Sequence, residues 1–171
     1  MGVGWNSCSY AANAHNVKNP ACQSQIRPVR LQWFLQMEPR FSHRLRVRFG
    51  ECDPQGVVFN ANYLLYFDVA YTELWRHAFG SWDVMVERGV DLVVAESNQR
   101  WRSPARFDDE LDVGLTLSRL GNTAIATTYE MKVADRLVLE GEIRHVVIDP
   151  KDGAKQQMPD WLRSGLAPYA Q

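Results

Sequence analysis

The sequence predicts an α+β domain in which one antiparallel sheet of about five strands wraps around a single long helix. Residues 63–79 carry apolar side chains at steps of three and four, the spacing of one helix face. Residues 111–148 instead contain alternating segments separated by short turns, which predict an antiparallel meander. The chain has 171 residues, 46% of them hydrophobic, which is enough for one core. Only this helix is long enough to cover the apolar face of the sheet.

The first predicted strand spans residues 43–49, because its side chains alternate strictly between apolar and basic. One face is expected to be buried and the other solvated: Leu45, Val47 and Phe49 against Arg44, Arg46 and Arg48. A row of arginines on one side of a strand is more typical of its wet face than of an anion site.

The long helix is predicted from apolar residues that recur at helical spacing: Tyr63, Phe67, Ala70, Tyr71, Leu74 and Ala78. Gly80 ends the pattern. A helix of about 18 residues is roughly 27 Å long, so it can cross a whole small sheet.

The remaining elements follow from turn residues and alternation. Ser81 is expected to cap a short helix that runs to Glu87. Four further strands are predicted at residues 90–101, 111–117, 125–133 and 137–148, with turns at 121–122 and 134–136. A short helix is expected at 159–166.

The composition changes near residue 37. Residues 1–36 contain no Asp or Glu, so all 20 acidic residues lie from Glu38 onward. We expect residues 1–38 to form a poorly ordered N-terminal extension, 39–160 the folded domain and 161–171 a C-terminal tail. Met37 as the true first residue is an equally good interpretation, whereas a transit peptide would carry more Arg and Ser.

Charge and cysteine content exclude several classes of protein. The formal net charge of −1 gives no basic field for nucleic acid. No apolar run approaches the roughly 18 residues of a membrane span. Cys8, Cys22 and Cys52 are odd in number and lack metal-ligand spacing, so neither a disulfide framework nor a zinc site is expected. We therefore expect a cytoplasmic protein without a metal.

The most informative segment runs from Asp53 to Tyr63. Asp53 precedes a turn made by Pro54 and Gly56, residues 57–59 are apolar, and Asn60 or Asn62 can cap the long helix. The unpaired amides at that helix start would point back toward Asp53. A carboxylate and an anion-stabilising helix end are therefore expected to face one pocket.

This segment resembles the hotdog-fold acyl-CoA thioesterases of the 4-hydroxybenzoyl-CoA thioesterase and YbgC type. Residues 49–58 (FGECDPQGVV) are similar to the loop that holds the catalytic aspartate of the family. Residues 62–68 and 71–77 resemble its central helix, and residues 103–111 resemble the segment between its second and third strands. The resemblance covers about residues 43–160 and none of residues 1–38.

The resemblance implies a hotdog thioesterase in which Asp53 acts as nucleophile or general base. It implies that the amide of Asn60 stabilises the charge on the thioester oxygen. Further substrate contacts are implied for the surrounding residues Val58, Phe59, Ala61, Asn62 and Tyr63. Coenzyme A would be part of the substrate, and no cofactor would be needed.

Two positions depart from the family pattern. YbgC-type members often have His where this chain has Asn60, and the hydroxybenzoyl type has Tyr, so the amide is the constant part. Hydroxybenzoyl-type members place several basic residues near the turn after the third strand to meet the phosphates of coenzyme A, whereas Arg119 stands alone here.

Other interpretations remain open. Glu73 is a rival carboxylate, because related thioesterases use a Glu on the central helix, although Glu73 and His77 at i,i+4 more often form a surface pair. A non-catalytic binding module and an acyl-carrier-protein thioesterase are alternatives. A hydratase or dehydratase would need a His, and residues 53–63 contain none.

The last expectations concern the oligomeric state and the residues that line the pocket. One helix cannot cover both faces of its sheet, and hotdog domains pair, so we expect a homodimer or homotetramer with the pocket at the interface. Trp75, Trp82 and Trp101 are candidates for an aromatic pocket, although such residues are more often core or interface anchors.

Overall fold

The computed structural model describes residues 38–171. The predicted N-terminal extension, except Glu38, lies outside the described residues. Three helices are present: α1 (Asn62–Phe79), α2 (Asp83–Glu87) and α3 (Asp160–Leu166). Five strands are present: β1 (Phe41–Arg46), β2 (Asp91–Trp101), β3 (Glu110–Leu120), β4 (Ala124–Val133) and β5 (Arg136–Ile148). Short 3-10 turns occupy Phe49–Glu51 and Ala167–Tyr169.

The five strands form one antiparallel sheet in the order β1-β3-β4-β5-β2. Strands β3, β4 and β5 are the predicted meander. Strand β2 joins it by pairing with β5, so that β1 and β2 form the two edges. The α+β fold with one sheet around one long helix is therefore confirmed. Strand β2, the second edge of the sheet, leads directly into residues 102–104, which line the candidate site.

Helix α1 lies against the inner face of the sheet and supplies the largest buried side chains of the core. Seven of its residues are buried: Tyr63, Tyr66, Phe67, Ala70, Tyr71, Leu74 and Trp75. Burial of each large side chain contributes about 1.5–3 kcal/mol, so this face fixes the helix on the sheet. The helix ends at Gly80, whose φ of 89° favours glycine.

The first strand is shorter than predicted. β1 ends at Arg46, and Phe49 is 79% exposed instead of buried. The alternation stops because the chain turns here. Glu51 donates its amide to the Arg48 carbonyl (3.1 Å), and Arg48 donates its amide to the Glu51 carboxylate (2.7 Å). Phe49 instead packs edge-on against the exposed ring of Phe107, at 5.7 Å between centroids.

The short helices also differ in detail from the prediction. α2 begins after Trp82, which makes no side-chain cap, so the expected cap at Ser81 is wrong. α3 occupies nearly the predicted range and buries Leu162 and Leu166. Beyond it, Ala170 pairs with Leu117, where β3 extends past the end of β1. No helix among the described residues is both long and apolar enough to cross a membrane.

A histidine lies in the core beneath α1. His145 on β5 is buried and stacks on Tyr71, with centroids 4.5 Å apart and planes 4° apart. Burial lowers the pKa of His145 to about 4. Its Nδ1 atom has no hydrogen-bond partner within residues 38–171. The imidazole is therefore neutral near pH 7 and behaves as a packed aromatic ring.

Candidate active site

The loop around Asp53 is a tight hydrogen-bonded turn. The amide of Asp53 donates to the Val57 carbonyl (2.8 Å), and the amide of Gly56 donates to the Asp53 carbonyl (2.9 Å). Gly56 has a φ of 73°, which a residue with a side chain adopts only with strain. The Asp53 side chain in this turn is half-buried.

The two carboxylate oxygens of Asp53 differ in environment. Oδ1 accepts the amide of Gln55 at 2.8 Å, which fixes the orientation of the side chain. Oδ2 has no hydrogen-bond partner within residues 38–171. One oxygen therefore holds the carboxylate in place, and the other retains lone pairs for a substrate carbonyl or a water molecule.

The start of α1 lies at the end of this loop. Ala61 is the N-cap residue and makes no side-chain cap, so the expected caps Asn60 and Asn62 are wrong. The Asn62 side chain donates instead to the Glu51 carbonyl (2.8 Å), and its amide donates to the Phe59 carbonyl (2.9 Å). The amides of Asn60 and Ala61 donate to no acceptor within the described part of the chain. They are available to an anion.

A pocket of about 280 Å³ opens beside this helix start. Its lining combines apolar, aromatic and polar side chains: Val57, Val58, Asn60, Tyr63, Trp101, Arg102, Ser103 and Pro104. Trp101 is 50% exposed and meets Tyr63 edge-on at 6.4 Å. The structure thus brings three of the predicted site residues into one pocket: Val58, Asn60 and Tyr63. Asp53, Phe59, Ala61 and Asn62 belong to the same loop and helix start but do not line the pocket.

Long-range hydrogen bonds hold the pocket walls together. The Ala105 amide donates to the Tyr63 hydroxyl (3.1 Å), and the Val58 amide donates to the Ala105 carbonyl (2.9 Å). Burial raises the pKa of Tyr63, so its phenol stays protonated. Arg136 donates to the Ser103 hydroxyl (2.7 Å) and to the Pro104 carbonyl (2.6 Å). The segment after β2 is therefore tied both to α1 and to the start of β5.

Sequence reasoning missed part of this wall. The sequence predicts Trp101 only as a candidate for an aromatic pocket. It predicts Ser103 and Pro104 as a strand end and as part of the segment 103–111 that resembles the family, but not as part of the site. Arg102 carried no signal, because nothing local shows that β2 ends beside the helix start. Two signals could have found this segment: the break in the strand pattern at Ser103-Pro104 and the resemblance of residues 103–111 to the family.

Two other candidates lie elsewhere. Arg119 is exposed near the far end of β3, about 20 Å along the strand from Val113 at roughly 3.4 Å per residue. Val113 is in the row of paired residues that includes Trp101. Contact of Arg119 with coenzyme A phosphates stays a prediction. Glu73 forms an ion pair with Arg76, and His77 packs near Phe41, so the pair of Glu73 with His77 is not formed.

Among residues 38–171, no three His, Cys, Asp or Glu side chains are grouped in a way that could hold a metal ion. The chemical groups that the site offers are one carboxylate, free backbone amides at a helix start and a pocket with an aromatic wall.

Comparison with known proteins decides the family. The model of the thioesterase-like superfamily matches residues 47–166, which include the Asp53 loop, α1 and the whole meander. The chain belongs to the thioesterase-like superfamily. The expected enzyme class, a thioesterase with the hotdog fold, is thereby confirmed.

Several relatives of this thioesterase have informative names. The acyl-CoA thioester hydrolase YbgC from Escherichia coli O6:H1 is 28% identical over 70% of this chain and 90% of its own length. A 1,4-dihydroxy-2-naphthoyl-CoA hydrolase from Nostoc punctiforme is 30% identical over 72% of this chain and 87% of its own. The crystal structure of a hypothetical protein from Aquifex aeolicus matches with a TM-score of 0.70 and 27% identity, covering 74% of this chain and 98% of that chain.

Proposed function

We propose that this thioesterase hydrolyses an acyl-CoA thioester to the free acid and coenzyme A, with Asp53 as the reacting carboxylate. The observation that carries the proposal concerns hydrogen bonds within residues 38–171. One Asp53 oxygen is anchored and the other has no partner there, and the loop leads into a helix start whose amides of Asn60 and Ala61 are also unpaired there. The names of the relatives, an acyl-CoA thioester hydrolase and a naphthoyl-CoA hydrolase, support the substrate class.

The chemistry follows from these groups. Oδ2 of Asp53 either attacks the thioester carbonyl or takes a proton from the water that attacks it. The attacked carbonyl oxygen becomes negative and is stabilised by the amides of Asn60 and Ala61 at the positive end of α1. The C–S bond then breaks, and coenzyme A leaves as a thiolate. In the nucleophilic route, water hydrolyses the resulting anhydride and restores Asp53.

The pocket supplies the binding surface for the acyl end of the substrate. Val57, Val58 and Pro104 offer apolar contacts, and Trp101 and Tyr63 offer aromatic edges. A volume of about 280 Å³ has room for a compact acyl group together with the thioester. We infer that the exposed ring of Trp101 contacts the acyl group, because flat aromatic walls bury apolar or planar groups well.

The functional unit is proposed to be at least a homodimer joined through β2. This strand is one edge of the sheet, and Val93 (43% exposed) and Val94 (51% exposed) lie uncovered on it. An exposed edge strand of eleven residues readily pairs with another chain. Because Trp101 is the last residue of β2, a second copy on this edge would bring its own groups to the rim of the pocket.

The dimer proposal predicts that Val94→Lys yields monomers, since a charge at the pairing edge opposes burial against the symmetric copy. Light scattering measures the change, and we expect thioester hydrolysis to fall with it. Val86→Lys is the matched control, because Val86 is similarly exposed (40%) but lies on α2. A wild-type protein that is monomeric at assay concentration would contradict the proposal.

The direct test of function is thiol release from a panel of acyl-CoAs and acyl-carrier proteins that contains aromatic, short-chain and long-chain acyl groups. We expect saturable hydrolysis of at least one acyl-CoA. Saturable release from carrier-protein thioesters alone would instead support the alternative substrate class. Binding of thioesters without release of thiol by any of them would support a non-catalytic binding module and refute the enzyme.

A further inference from the structure

Glu51 joins the loop of the reacting carboxylate to the helix that carries the free amides. It lies two residues before Asp53, at the end of the short turn Phe49–Glu51. Its backbone carbonyl accepts the Phe59 amide (2.9 Å) and the Asn62 side-chain amide (2.8 Å). Both donors lie on the far side of the Asp53 turn, so this one carbonyl closes the loop onto the start of α1.

The side chain of Glu51 makes a second connection to the same helix. Its Oε2 atom accepts the hydroxyl of Tyr66 on α1 at 2.7 Å and the amide of Arg48 at 2.7 Å. Tyr66 is 3% exposed, so this hydroxyl has little access to water and depends on Glu51 for a partner. Burial, followed by the hydrogen bond to Glu51, raises the pKa of Tyr66 far above its ordinary value. Tyr66 therefore remains a donor throughout the working range of pH.

These contacts fix the distance between the Asp53 loop and the start of α1, which matters for the proposed reaction. Asp53 is carried by the loop, whereas the free amides of Asn60 and Ala61 are carried by the helix start. A substrate carbonyl must meet both at once, and a displacement of about 1 Å can cost 10²-fold in rate. Hydrogen bonds with charged partners are the stronger ones, so the contact between Glu51 and Tyr66 is well suited to hold this geometry.

We propose that Glu51 is a positioning residue of the thioesterase: through Tyr66 and Asn62 it sets the spacing between the Asp53 carboxylate and the amides at the start of α1. The inference rests on the proposed function, because it assigns Glu51 a role in that same reaction. Glu51 itself does not contact the substrate and transfers no proton.

Because Glu51 acts as a hydrogen-bond acceptor, a substitution that keeps an acceptor oxygen should have a much smaller effect than one that removes it. A single oxygen, Oε2, accepts both the Tyr66 hydroxyl and the Arg48 amide. The one carbonyl oxygen of Gln can take the same position, so Glu51→Gln should keep kcat within about threefold of the wild type. Glu51→Ala and Tyr66→Phe remove the contact from either side. Each should lower kcat by about tenfold or more while KM changes by less than about twofold.

A double variant tests whether the two residues act as one unit. Glu51→Ala combined with Tyr66→Phe should be no slower than the slower single variant, to within about twofold, because both remove the same contact. Tyr169→Phe is the matched control for loss of a tyrosine hydroxyl. Tyr169 lies in the C-terminal 3-10 turn, and its hydroxyl has no hydrogen-bond partner within residues 38–171. It should hydrolyse at the wild-type rate.

Hydrogen exchange gives a readout that does not depend on activity. In Glu51→Ala and Tyr66→Phe, the amides of Val58 and Phe59 should exchange at least about tenfold faster, since the loop opens more often. The amide of Ile125 on β4, far from the loop, should be unchanged. The inference is overturned if kcat stays at the wild-type value in both variants, if the two losses multiply in the double variant, or if exchange at Val58 and Phe59 is unaltered. Failure of the proposed function appears differently, as a wild-type protein that hydrolyses no thioester.

Discussion

Replacement of Asp53 by Asn is expected to lower the kcat of thioester hydrolysis by about 10²-fold or more while the fold is retained. The carbonyl oxygen of Asn can still accept the Gln55 amide, as Oδ1 of Asp53 does at 2.8 Å, so the turn is preserved. The amide nitrogen would replace Oδ2, the oxygen without a partner among the described residues. A neutral amide is neither a nucleophile nor a base, so chemistry is lost and geometry is kept.

Asp152→Asn provides the matched control for this change. Oδ1 of Asp152 accepts the amide of Ala154 at 2.9 Å, the same contact to the second following residue that Asp53 makes. Asp152 lies in the turn after β5, away from the pocket. It should hydrolyse thioesters at the wild-type rate and melt at a similar temperature. Full activity in Asp53→Asn would refute Asp53 as the reacting carboxylate and leave Glu73 as the next candidate.

Acidification is expected to destabilise the fold through His145 by about 3 kcal/mol once the pH has fallen to about 4. The folded-state pKa of about 4 lies below the ordinary value of 6.5, because burial disfavours the imidazolium. Between these two pH values, the unfolded chain binds a proton that the folded chain does not. The free energy of unfolding is therefore unaffected by this group above about pH 7 and decreases as the pH falls from 6.5 towards 4.

His145→Phe isolates this contribution from the carboxylates that titrate in the same range. Phenylalanine can keep the stacking on Tyr71 but has no proton to bind. Urea unfolding of both proteins at several pH values measures the difference. The free-energy gap between the variant and the wild type should shift by about 3 kcal/mol in favour of the variant between pH 7.5 and pH 4. Parallel curves over that range would contradict the role assigned to His145.

The fold was largely predictable because its signals are local. Strands β3 to β5 alternate in sequence, and α1 repeats its apolar residues at helical spacing, so each element reveals its own buried face. The same alternation places His145 between Ile143 and Val147 on the inward face of β5, so its burial also has a local signal. The predicted burial of Phe49 is wrong because the alternation continues past the point where backbone hydrogen bonds turn the chain.

The site was predictable only where its residues are neighbours in the chain. Asp53, Pro54 and Gly56 define the loop by turn chemistry, and the loop leads directly into α1. The walls depend on pairs that are distant in sequence, such as Arg136 with Ser103, or Tyr63 with Ala105. The same holds for Glu51 and Tyr66, which are fifteen positions apart. No periodicity records such a contact, because it exists only after the sheet has wrapped around the helix.

The unequal environments of the two Asp53 oxygens have a practical consequence for naming the natural substrate. Since the anchored oxygen survives in the Asn variant, the pocket keeps its shape after the reaction has been disabled. If Asp53 reacts as proposed, such a protein is expected to hold an uncleaved thioester instead of releasing its products. Purified from cells that contain the natural metabolite and analysed by mass spectrometry, it would deliver the acyl group still joined to its carrier.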